Sequence, residues 1–239
     1  MKNKLFCFPY AGGSASFYKD WKTDGSLQVI PLEYPGHGSK YCESLCESMS
    51  ELTDVLLEEI VTNYNITPLH HLSFFGHSMG ATVAYEVAVK LEQRYSQKVE
   101  NLFLSSKSSP NYKLEQMDCS NVTELKKTLK KIGGTSEELL TEDILQVFLP
   151  IMQADLTILA NYCGGPKANQ KLRSHTMLLV GSEDTVTKES MEAWDEYIEP
   201  IEGMQVLKGD HFYIRQNQDT VLKLVRNNIS KRQNELLIM

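Results

Sequence analysis

The residues with the clearest chemical potential are Gly76-His77-Ser78-Met79-Gly80, which have the form G-x-S-x-G. They follow an apolar run that predicts a strand, and the residues after them predict a helix. A serine on such a sharp turn has strained backbone angles, and only glycine fits at the two flanking positions. The turn raises the hydroxyl above the sheet, at a helix N-terminus that stabilises developing negative charge. We therefore predict that Ser78 is a nucleophile, with Gly76, His77 and Gly80 forming the turn; the alternative is a serine that caps a helix.

A serine hydroxyl is a weak nucleophile unless a nearby base accepts its proton. Only two histidines, His175 and His211, follow Ser78 in the chain. His175 begins an apolar strand, at the end away from the expected site. His211 lies in "KGDHFYI", the loop after the last predicted strand. We predict that His211 is the base.

The base in turn needs a carboxylate that orients its ring. The loop "GSEDTV", which follows the strand "TMLLVGS", offers Glu183 and Asp184. Asp184 and His211 are 27 residues apart, which leaves room for one helix and one strand. We favour Asp184 and keep Glu183 as the alternative. Asp210 directly precedes His211, so its side chain should point away from the imidazole.

Acyl transfer also needs N–H donors that stabilise an oxyanion. One donor should be the backbone N–H of Met79, directly after the candidate nucleophile. The second should come from the loop after the first strand, "PYAGGSAS", where Tyr10 or Ala11 is the expected donor. The glycines of this loop allow the backbone to approach a substrate closely.

The bulk composition limits the function. The chain has 239 residues, a net charge of −7 and 41% apolar residues, which is typical of one globular domain or of a domain with an insertion. Negative charge argues against nucleic acid and anionic membranes as partners. The sequence contains no apolar run of membrane-spanning length, and its N-terminus reaches Pro9 too soon for a signal peptide.

The cysteines indicate reduced thiols in the cytoplasm. Their number is odd, they are widely spread, and no histidine completes a metal-binding set. We therefore expect no metal site. The five residues are Cys7, Cys42, Cys46, Cys119 and Cys163.

The order of elements predicts a parallel sheet with helices on both faces, because apolar strand-like runs alternate with helical patterns. The predicted strands are 4–10, 27–34, 71–75, 99–106, 175–182 and 204–209. The predicted core helices are 44–64, 79–93 and 218–234.

Residues 110–170 break this alternation and predict a helical insertion between two strands. We expect a core formed by 1–109 and 171–239. Within the insertion we predict three helices, the third starting after Pro150. Their apolar positions are Val122, Leu125, Leu129 and Ile132, then Leu139, Leu140, Ile144, Val147 and Phe148, then Ile151, Leu156, Leu159 and Tyr162.

Several spaced motifs together resemble one family. "LFCFPYAGGSAS", "YPGHG", "FFGHSMGA", "LVGSED" and "GDHFYI" occur here in the order found in the type II thioesterases, which accompany nonribosomal peptide and polyketide synthases. The resemblance extends from Leu5 to about Gln216 and is weakest in the insertion. It implies an α/β-hydrolase fold, with a mostly parallel central sheet flanked by helices and a helical lid insertion.

The resemblance also implies an activity. Such an enzyme hydrolyses acyl thioesters on the phosphopantetheine arm of acyl- or peptidyl-carrier proteins, and so removes misprimed or stalled acyl units. It is a monomer, docks transiently on the carrier, and needs no cofactor beyond the arm of its substrate. By motif, its catalytic residues correspond to Ser78, Asp184 and His211.

Two stretches depart from the family pattern. Gly209-Asp210-His211 replaces a Gly-Gly-His, and an extra carboxylate there would raise the pKa of His211 if it lay close enough. Gln153-Ala154-Asp155-Leu156 replaces an Arg-Ala-Asp-Tyr in the lid, which puts the acyl preference in doubt.

Other interpretations stay open at this point. The same fold could carry a carboxylesterase, an acyltransferase that uses an amine or alcohol, or a non-catalytic binding module. His37 precedes the nucleophile, so we expect it to be a structural loop residue. Side chains of the insertion could line an acyl pocket or simply pack helices together; they are Met117, Phe148, Met152 and Tyr162.

Overall fold

The computed structural model describes residues 3–21, 25, 27–64, 66, 71–112, 117–133, 140–164 and 171–238, with side chains described as far as 232. The strands are β1 Asn3–Phe8, β2 Leu27–Pro31, β3 Leu72–His77, β4 Asn101–Ser105, β5 Leu172–Gly181 and β6 Ile198–Leu207. They form a six-stranded sheet in the order β2-β1-β3-β4-β5-β6. Every neighbouring pair is parallel, so the carboxyl ends of all six strands lie at one edge.

Helices cover both faces of this sheet. They are α1 Met49–Tyr64, α2 Met79–Tyr95, α3 Val122–Ile132, α4 Glu142–Ala160, α5 Lys188–Glu192 and α6 Gln218–Ile238. Residues of α1 and α2 pack on one face, and those of α6 pack on the other. Every residue of β3 and β4 is buried, as expected for central strands that are covered on both sides.

The predicted fold class is confirmed, and the differences lie mainly at element ends. The last strand is longer than the predicted 204–209 and begins at Ile198. The first long helix begins at Met49 and not at 44. The short helix α5 lies between Asp184 and His211, where the spacing left room for one helix, but its bounds were not predicted.

The predicted break at Pro150 is wrong. Helix α4 runs without interruption through Pro150. A proline inside a helix removes one hydrogen bond to the carbonyl four residues earlier. Gln146 and Pro150 are both exposed, so water can satisfy that carbonyl. The two predicted helices are therefore one, with three exceptions. Leu139 lies outside the described residues, Leu140 precedes the helix, and Tyr162 follows it.

Helices α3 and α4, which we call the insertion helices, follow β4 and precede β5. They share a small apolar cluster, formed by Cys119, Leu125, Leu140, Leu145 and Met152. The C-terminal part of α4 contributes Ile158 and Leu159 to the main core. The insertion helices thus have a core of their own and also pack against the sheet domain.

Candidate active site

Ser78 lies between β3 and α2 with φ 54° and ψ −121°, a conformation that non-glycine residues rarely adopt. Its N–H donates a 2.8 Å hydrogen bond to the carbonyl of Ser105 at the end of β4. A Cβ at Gly76 would lie 2.1 Å from the Gly80 carbonyl oxygen, and one at Gly80 would lie 2.1 Å from that of Phe8. Backbone atoms cannot yield as a flexible side chain can. The spacing of glycine around Ser78 is therefore a steric requirement of this turn.

The structure brings Ser78, His211 and Asp184 together at the carboxyl edge of the sheet. The Nε2 atom of His211 is 3.0 Å from Ser78 Oγ. Its Nδ1 atom is 3.0 Å from Asp184 Oδ1. A carboxylate can only accept, so we assign the proton to Nδ1 and leave Nε2 free to accept the serine proton. Glu183, the alternative acid, is exposed, and His211 has no hydrogen bond to it.

Asp184 is held in its charged form. Burial alone would raise the pKa of this carboxyl, whose side chain has 0% exposure. The hydrogen bond and the charge of His211 outweigh burial, and the Ser106 hydroxyl and the Val186 N–H add to their effect, so the pKa lies below its ordinary value. Within the described residues, the Oδ2 atom of Asp184 is buried without a hydrogen-bond partner, although the Ser106 hydroxyl is close enough to lower the pKa of this carboxyl.

Two backbone N–H groups beside Ser78 are suitable oxyanion donors. Met79 is the first residue of α2, where an N–H has no partner within the helix. Tyr10 to Gly13 form a tight turn, in which the Gly13 N–H donates to the Tyr10 carbonyl at 2.8 Å and Gly12 has φ 69°. In the described part of the chain, the N–H groups of Met79, Tyr10 and Ala11 have no hydrogen-bond partner.

His77 is fully buried behind His211, with the two ring centroids 5.3 Å apart. Its Nδ1 atom bonds the Ser105 hydroxyl at 2.8 Å, and that hydroxyl bonds Tyr213 at 2.7 Å. Burial, together with the neighbouring charge of His211, lowers the pKa of His77 well below its ordinary value. His77 therefore stays neutral and adds no positive charge behind the candidate base.

Asp210 does not face the imidazole. Its Oδ1 atom accepts a 2.8 Å hydrogen bond from the N–H of Phe212, and this closes the turn that carries His211. The ring of Phe212 packs against the ring of His211 at a centroid distance of 5.3 Å. The carboxylate that replaces a family glycine thus stabilises the loop.

Ser78 and His211 open into a cavity of about 1340 Å³ that has two unlike walls. Helix side chains form an apolar wall, which includes Leu129, Ile132, Ile144, Leu145, Val147, Phe148, Ile151, Met152, Leu156 and Leu159. The loops after β4 and β5, with the start of α5, form a polar wall of Ser106, Lys107, Ser108, Thr185, Thr187 and Ser190.

The predicted pocket residues divide into two groups. Met117, Phe148 and Met152 line the cavity. Tyr162 is instead hydrogen-bonded to the partly buried Glu86 of α2. It connects the end of α4 to the core and is not among the residues around the cavity.

Asp155 of α4 is a site residue whose role the sequence analysis missed. It is 2% exposed, and its Oδ2 atom accepts from the Gly12 N–H at 2.7 Å. The same atom lies 3.0 Å from Nε2 of His37, whose Nδ1 atom is 2.9 Å from the Pro35 carbonyl. Both ring nitrogens of His37 thus meet acceptors, which requires a doubly protonated ring.

The pKa of His37 supports this assignment. Burial alone would lower it, but the hydrogen bond and charge of Asp155 outweigh burial and raise it. His37 is therefore structural, as expected, but as half of a buried ion pair. The pair joins the insertion helices to the turn that carries the candidate donor Ala11.

Helix α4 is apolar enough, and at 19 residues long enough, to cross a membrane by length and composition. Its apolar side chains have another explanation here, because they line the cavity and pack on two cores. Within the described residues, no group of three or more His, Cys, Asp or Glu side chains could hold a metal ion.

The fold and this geometry define a hydrolase of the α/β-hydrolase type. The thioesterase domain family model matches residues 3–229. Linear gramicidin dehydrogenase LgrE of Brevibacillus parabrevis is 31% identical over 234 residues, which are 94% of this chain and 87% of that protein. Thioesterase TesA of Mycobacterium marinum is 31% identical over 219 residues, which are 89% of this chain and 85% of that protein.

A solved structure agrees with these relatives. YbtT, a type II thioesterase from the yersiniabactin NRPS/PKS biosynthetic pathway, superposes with a TM-score of 0.81 at 28% identity. The match covers 94% of this chain and 92% of YbtT. The chain belongs to the thioesterase domain family, and it is a type II thioesterase of the kind found in nonribosomal peptide and polyketide pathways.

Proposed function

We propose that this enzyme removes acyl groups from the phosphopantetheine arm of acyl- or peptidyl-carrier proteins by hydrolysis, and so edits misprimed or stalled synthases. The observation that carries the proposal is the serine–histidine–aspartate relay opening into a cavity with a large apolar wall. An acyl chain fits such a wall, and its thioester carbonyl would then lie at Ser78.

In the first half of the proposed reaction, His211 Nε2 takes the proton of Ser78 as Oγ attacks the thioester carbonyl. Asp184 holds the ring and stabilises the imidazolium that forms. The N–H groups of Met79 and of Ala11 or Tyr10 donate to the oxyanion, which is worth about 3–4 kcal/mol per donor. His211 then returns the proton to the departing pantetheine sulfur, and the acyl group remains on Ser78.

In the second half, His211 takes a proton from water, which attacks the acyl-serine through the same oxyanion site. The proton passes to Ser78 Oγ as the acid departs, and the enzyme is regenerated. The substrate brings its own phosphopantetheine, and we propose that no further cofactor takes part.

We propose that the insertion 110–170 is a lid over the acyl cavity. Several residues that line the cavity are both apolar and exposed, which is consistent with an entrance that opens to a partner. They are Tyr41, Tyr112, Val147 and Phe148. We further propose that the enzyme acts as a monomer, docks only transiently on the carrier, and binds neither nucleic acid nor membranes. The five free cysteines fit a cytoplasmic location.

Two other activities remain candidates for the same relay, a general carboxylesterase and an acyltransferase. The name of LgrE describes a dehydrogenase, but a serine with a base and an orienting acid is the arrangement for acyl transfer. We favour thioester hydrolysis because the family and YbtT are thioesterases.

The test uses a carrier protein loaded with an acetyl group, with its loss followed by intact-protein mass spectrometry. Wild type should release acetate, whereas Ser78→Ala and His211→Ala should not. If wild type leaves the carrier acylated but cleaves a nitrophenyl ester through Ser78, the esterase interpretation replaces ours. If the acyl group appears on an added amine or alcohol, the enzyme is a transferase.

A further inference from the structure

Lys107 is a buried lysine in the polar wall of the cavity. It is 7% exposed and lines the same cavity as Ser78 and His211. In the part of the chain that the structure describes, its ammonium has neither a hydrogen bond nor an ion pair. A lysine is rarely buried this deeply unless it is paired. Its backbone is held firmly, because its carbonyl accepts a 2.8 Å hydrogen bond from Trp194 Nε1.

The backbone places Lys107 close to the reacting groups. Ser105 accepts the hydrogen bond from the Ser78 N–H, and Lys107 is only two residues further along the chain. Between them, Ser106 has φ 51°, which is uncommon for a residue with a side chain. This turn leads the chain out of β4 and along the cavity wall. The polar side chains Ser106, Ser108, Thr187 and Ser190 line the same side.

Burial is the single cause that shifts the pKa of Lys107, which it lowers to about 8. Among the residues that the structure describes, no carboxylate offsets this effect, although the chain carries a net charge of −7. The buried amine thus lowers the stability of the folded protein, and it lies in the cavity that we propose binds the acyl group. An anion that entered the cavity would supply the missing partner and favour the charged form.

We propose that Lys107 is a specificity-determining residue that binds a carboxylate on the acyl group itself, so that ω-carboxyacyl thioesters are substrates. This inference rests on the proposed thioester hydrolysis at Ser78. The carboxylate would lie against the polar wall, while the carbon chain contacts the apolar wall formed by α3 and α4.

A phosphate is the other anion that such a substrate carries. It is separated from the thioester sulfur by the full length of the pantetheine chain, whereas Lys107 is near Ser78. Among the described lining residues, the exposed cations Arg215, Lys127 and Lys131 are available to a phosphate at the cavity surface. Arg215 is exposed, lines the cavity, and lies over the ring of Phe212 at 5.2 Å. The position of Lys107 therefore favours the carboxylate.

The test compares matched pairs of pantetheine thioesters. Malonyl, succinyl and glutaryl groups are each paired with the neutral amide of the same shape, and acetyl serves as the reference. For at least one pair, wild type should prefer the carboxylate in kcat/KM by about tenfold to a hundredfold, the usual effect of a charge-assisted hydrogen bond. Lys107→Met should abolish that preference and leave hydrolysis of the acetyl thioester intact.

Two further variants control for indirect effects. Lys188→Met removes an exposed lysine from α5, the helix that also supplies Ser190, and should retain the wild-type preference. Lys107→Arg keeps the positive charge and should retain part of the preference for the carboxylate. Activity on the acetyl thioester shows that each variant is folded.

Three outcomes would separate the possibilities. The inference is wrong if wild type shows no preference for any carboxylate, or if Lys107→Met keeps it. Lys107 binds phosphate instead if Lys107→Met slows all carrier-bound substrates, acetyl included, but no pantetheine thioester. If wild type cleaves pantetheine thioesters but no carrier-bound ones, the proposed carrier substrate fails while the test of Lys107 still stands.

Discussion

The two sides of the cavity are built in different ways. Ser78, Asp184 and His211 lie in loops at the ends of parallel strands, so the sheet itself brings them together. The insertion helices have no place in that sheet. Part of their position relative to the core depends on single polar contacts, such as Asp155 with Gly12 and Tyr162 with Glu86. The candidate catalytic groups are thus fixed by the backbone, whereas the apolar wall of the cavity depends on a few side chains.

This difference predicts which substitutions affect the rate and which affect the position of the insertion helices. A change in Ser78, His211 or Asp184 should reduce the rate far more than it reduces stability. A change in the contacts of α4 should reduce stability first, and should affect rate through the position of the 10–13 turn.

The largest effect is expected for Asp184→Asn. An amide in place of the carboxylate would favour the wrong tautomer of His211, and we expect kcat to fall about 10⁴-fold, as for the same change in other serine triads. Glu183→Gln is the matched control, because Glu183 is the adjacent exposed carboxylate. Steady-state hydrolysis of an acetyl thioester measures both. Equal losses in the two variants would show that the acid has been assigned wrongly.

The contacts of Asp184 also predict that the folded protein loses stability in acid. The folded-state pKa of Asp184 lies below its unfolded value, so its contribution to stability is complete above the unfolded pKa. That contribution is lost as pH falls through the lower, folded pKa. Thermal unfolding of wild type between about pH 5 and 2 should show this loss. In Asp184→Asn it should be smaller.

The next largest effect is expected for Asp155→Ala. Removing one member of a buried ion pair leaves His37 charged without a partner and leaves the Gly12 N–H unsatisfied. We expect the free energy of unfolding to fall by roughly 3–5 kcal/mol. Urea unfolding measures it, and kcat should fall as well, because Gly12 adjoins Ala11.

Asp143→Ala serves as the control for Asp155, since Asp143 is an exposed carboxylate in the first turn of the same helix. Asp143→Ala should lower the free energy of unfolding by less than about 1 kcal/mol.

The ion pair between His37 and Asp155 also makes stability depend on pH. The folded pKa of His37 is raised, so its contribution is complete below the unfolded pKa and is lost as pH rises through the folded pKa. If wild type and Asp155→Asn lose stability equally above about pH 6.5, the ion pair does not contribute.

The sequence could predict that Ser78, His211 and Asp184 lie together, because each has a local signature. Ser78 needs two glycines, and His211 and Asp184 each follow a strand-like run. The shared partners of Asp155 could not be predicted in this way. Asp155 is separated from Gly12 by 143 residues and from His37 by 118, and no local pattern connects them.

The errors in the insertion have a related cause. Pro150 ordinarily ends a helix, but exposure of the freed carbonyl depends on how the helix packs, which the local sequence does not show. Lys107 was overlooked because "SSKSSP" has the composition of a surface loop. Its burial arises from Trp194 and from the walls of the cavity, which belong to other parts of the chain.

Lys107→Met is expected to raise the free energy of unfolding, by less than Asp155→Ala lowers it. The folded pKa of Lys107 is about 8 against an ordinary 10.5, so the folded state carries the full cost of a buried charge below pH 8. The shift corresponds to roughly 3 kcal/mol, which the variant should gain at pH 7. The gain should shrink as pH rises from about 8 to 10.5, because wild type then releases the proton. A gain that is equal at pH 7 and pH 10 would exclude charge burial as its cause.

The smallest effect is expected for Tyr162→Phe, which removes the hydroxyl bonded to Glu86 and keeps the ring. Burial raises the pKa of Glu86, and the tyrosine hydrogen bond acts against this. We expect a loss of about 1–2 kcal/mol in urea unfolding and a further rise in the pKa of Glu86. Tyr95→Phe, at an exposed position of α2, should have no effect. Because Tyr162 does not line the cavity, kcat/KM should respond equally for short and long acyl chains. If kcat/KM fell only for long acyl chains, Tyr162 would belong to the apolar wall of the cavity. The residues that hold α4 in place would then not be distinct from those that contact the substrate.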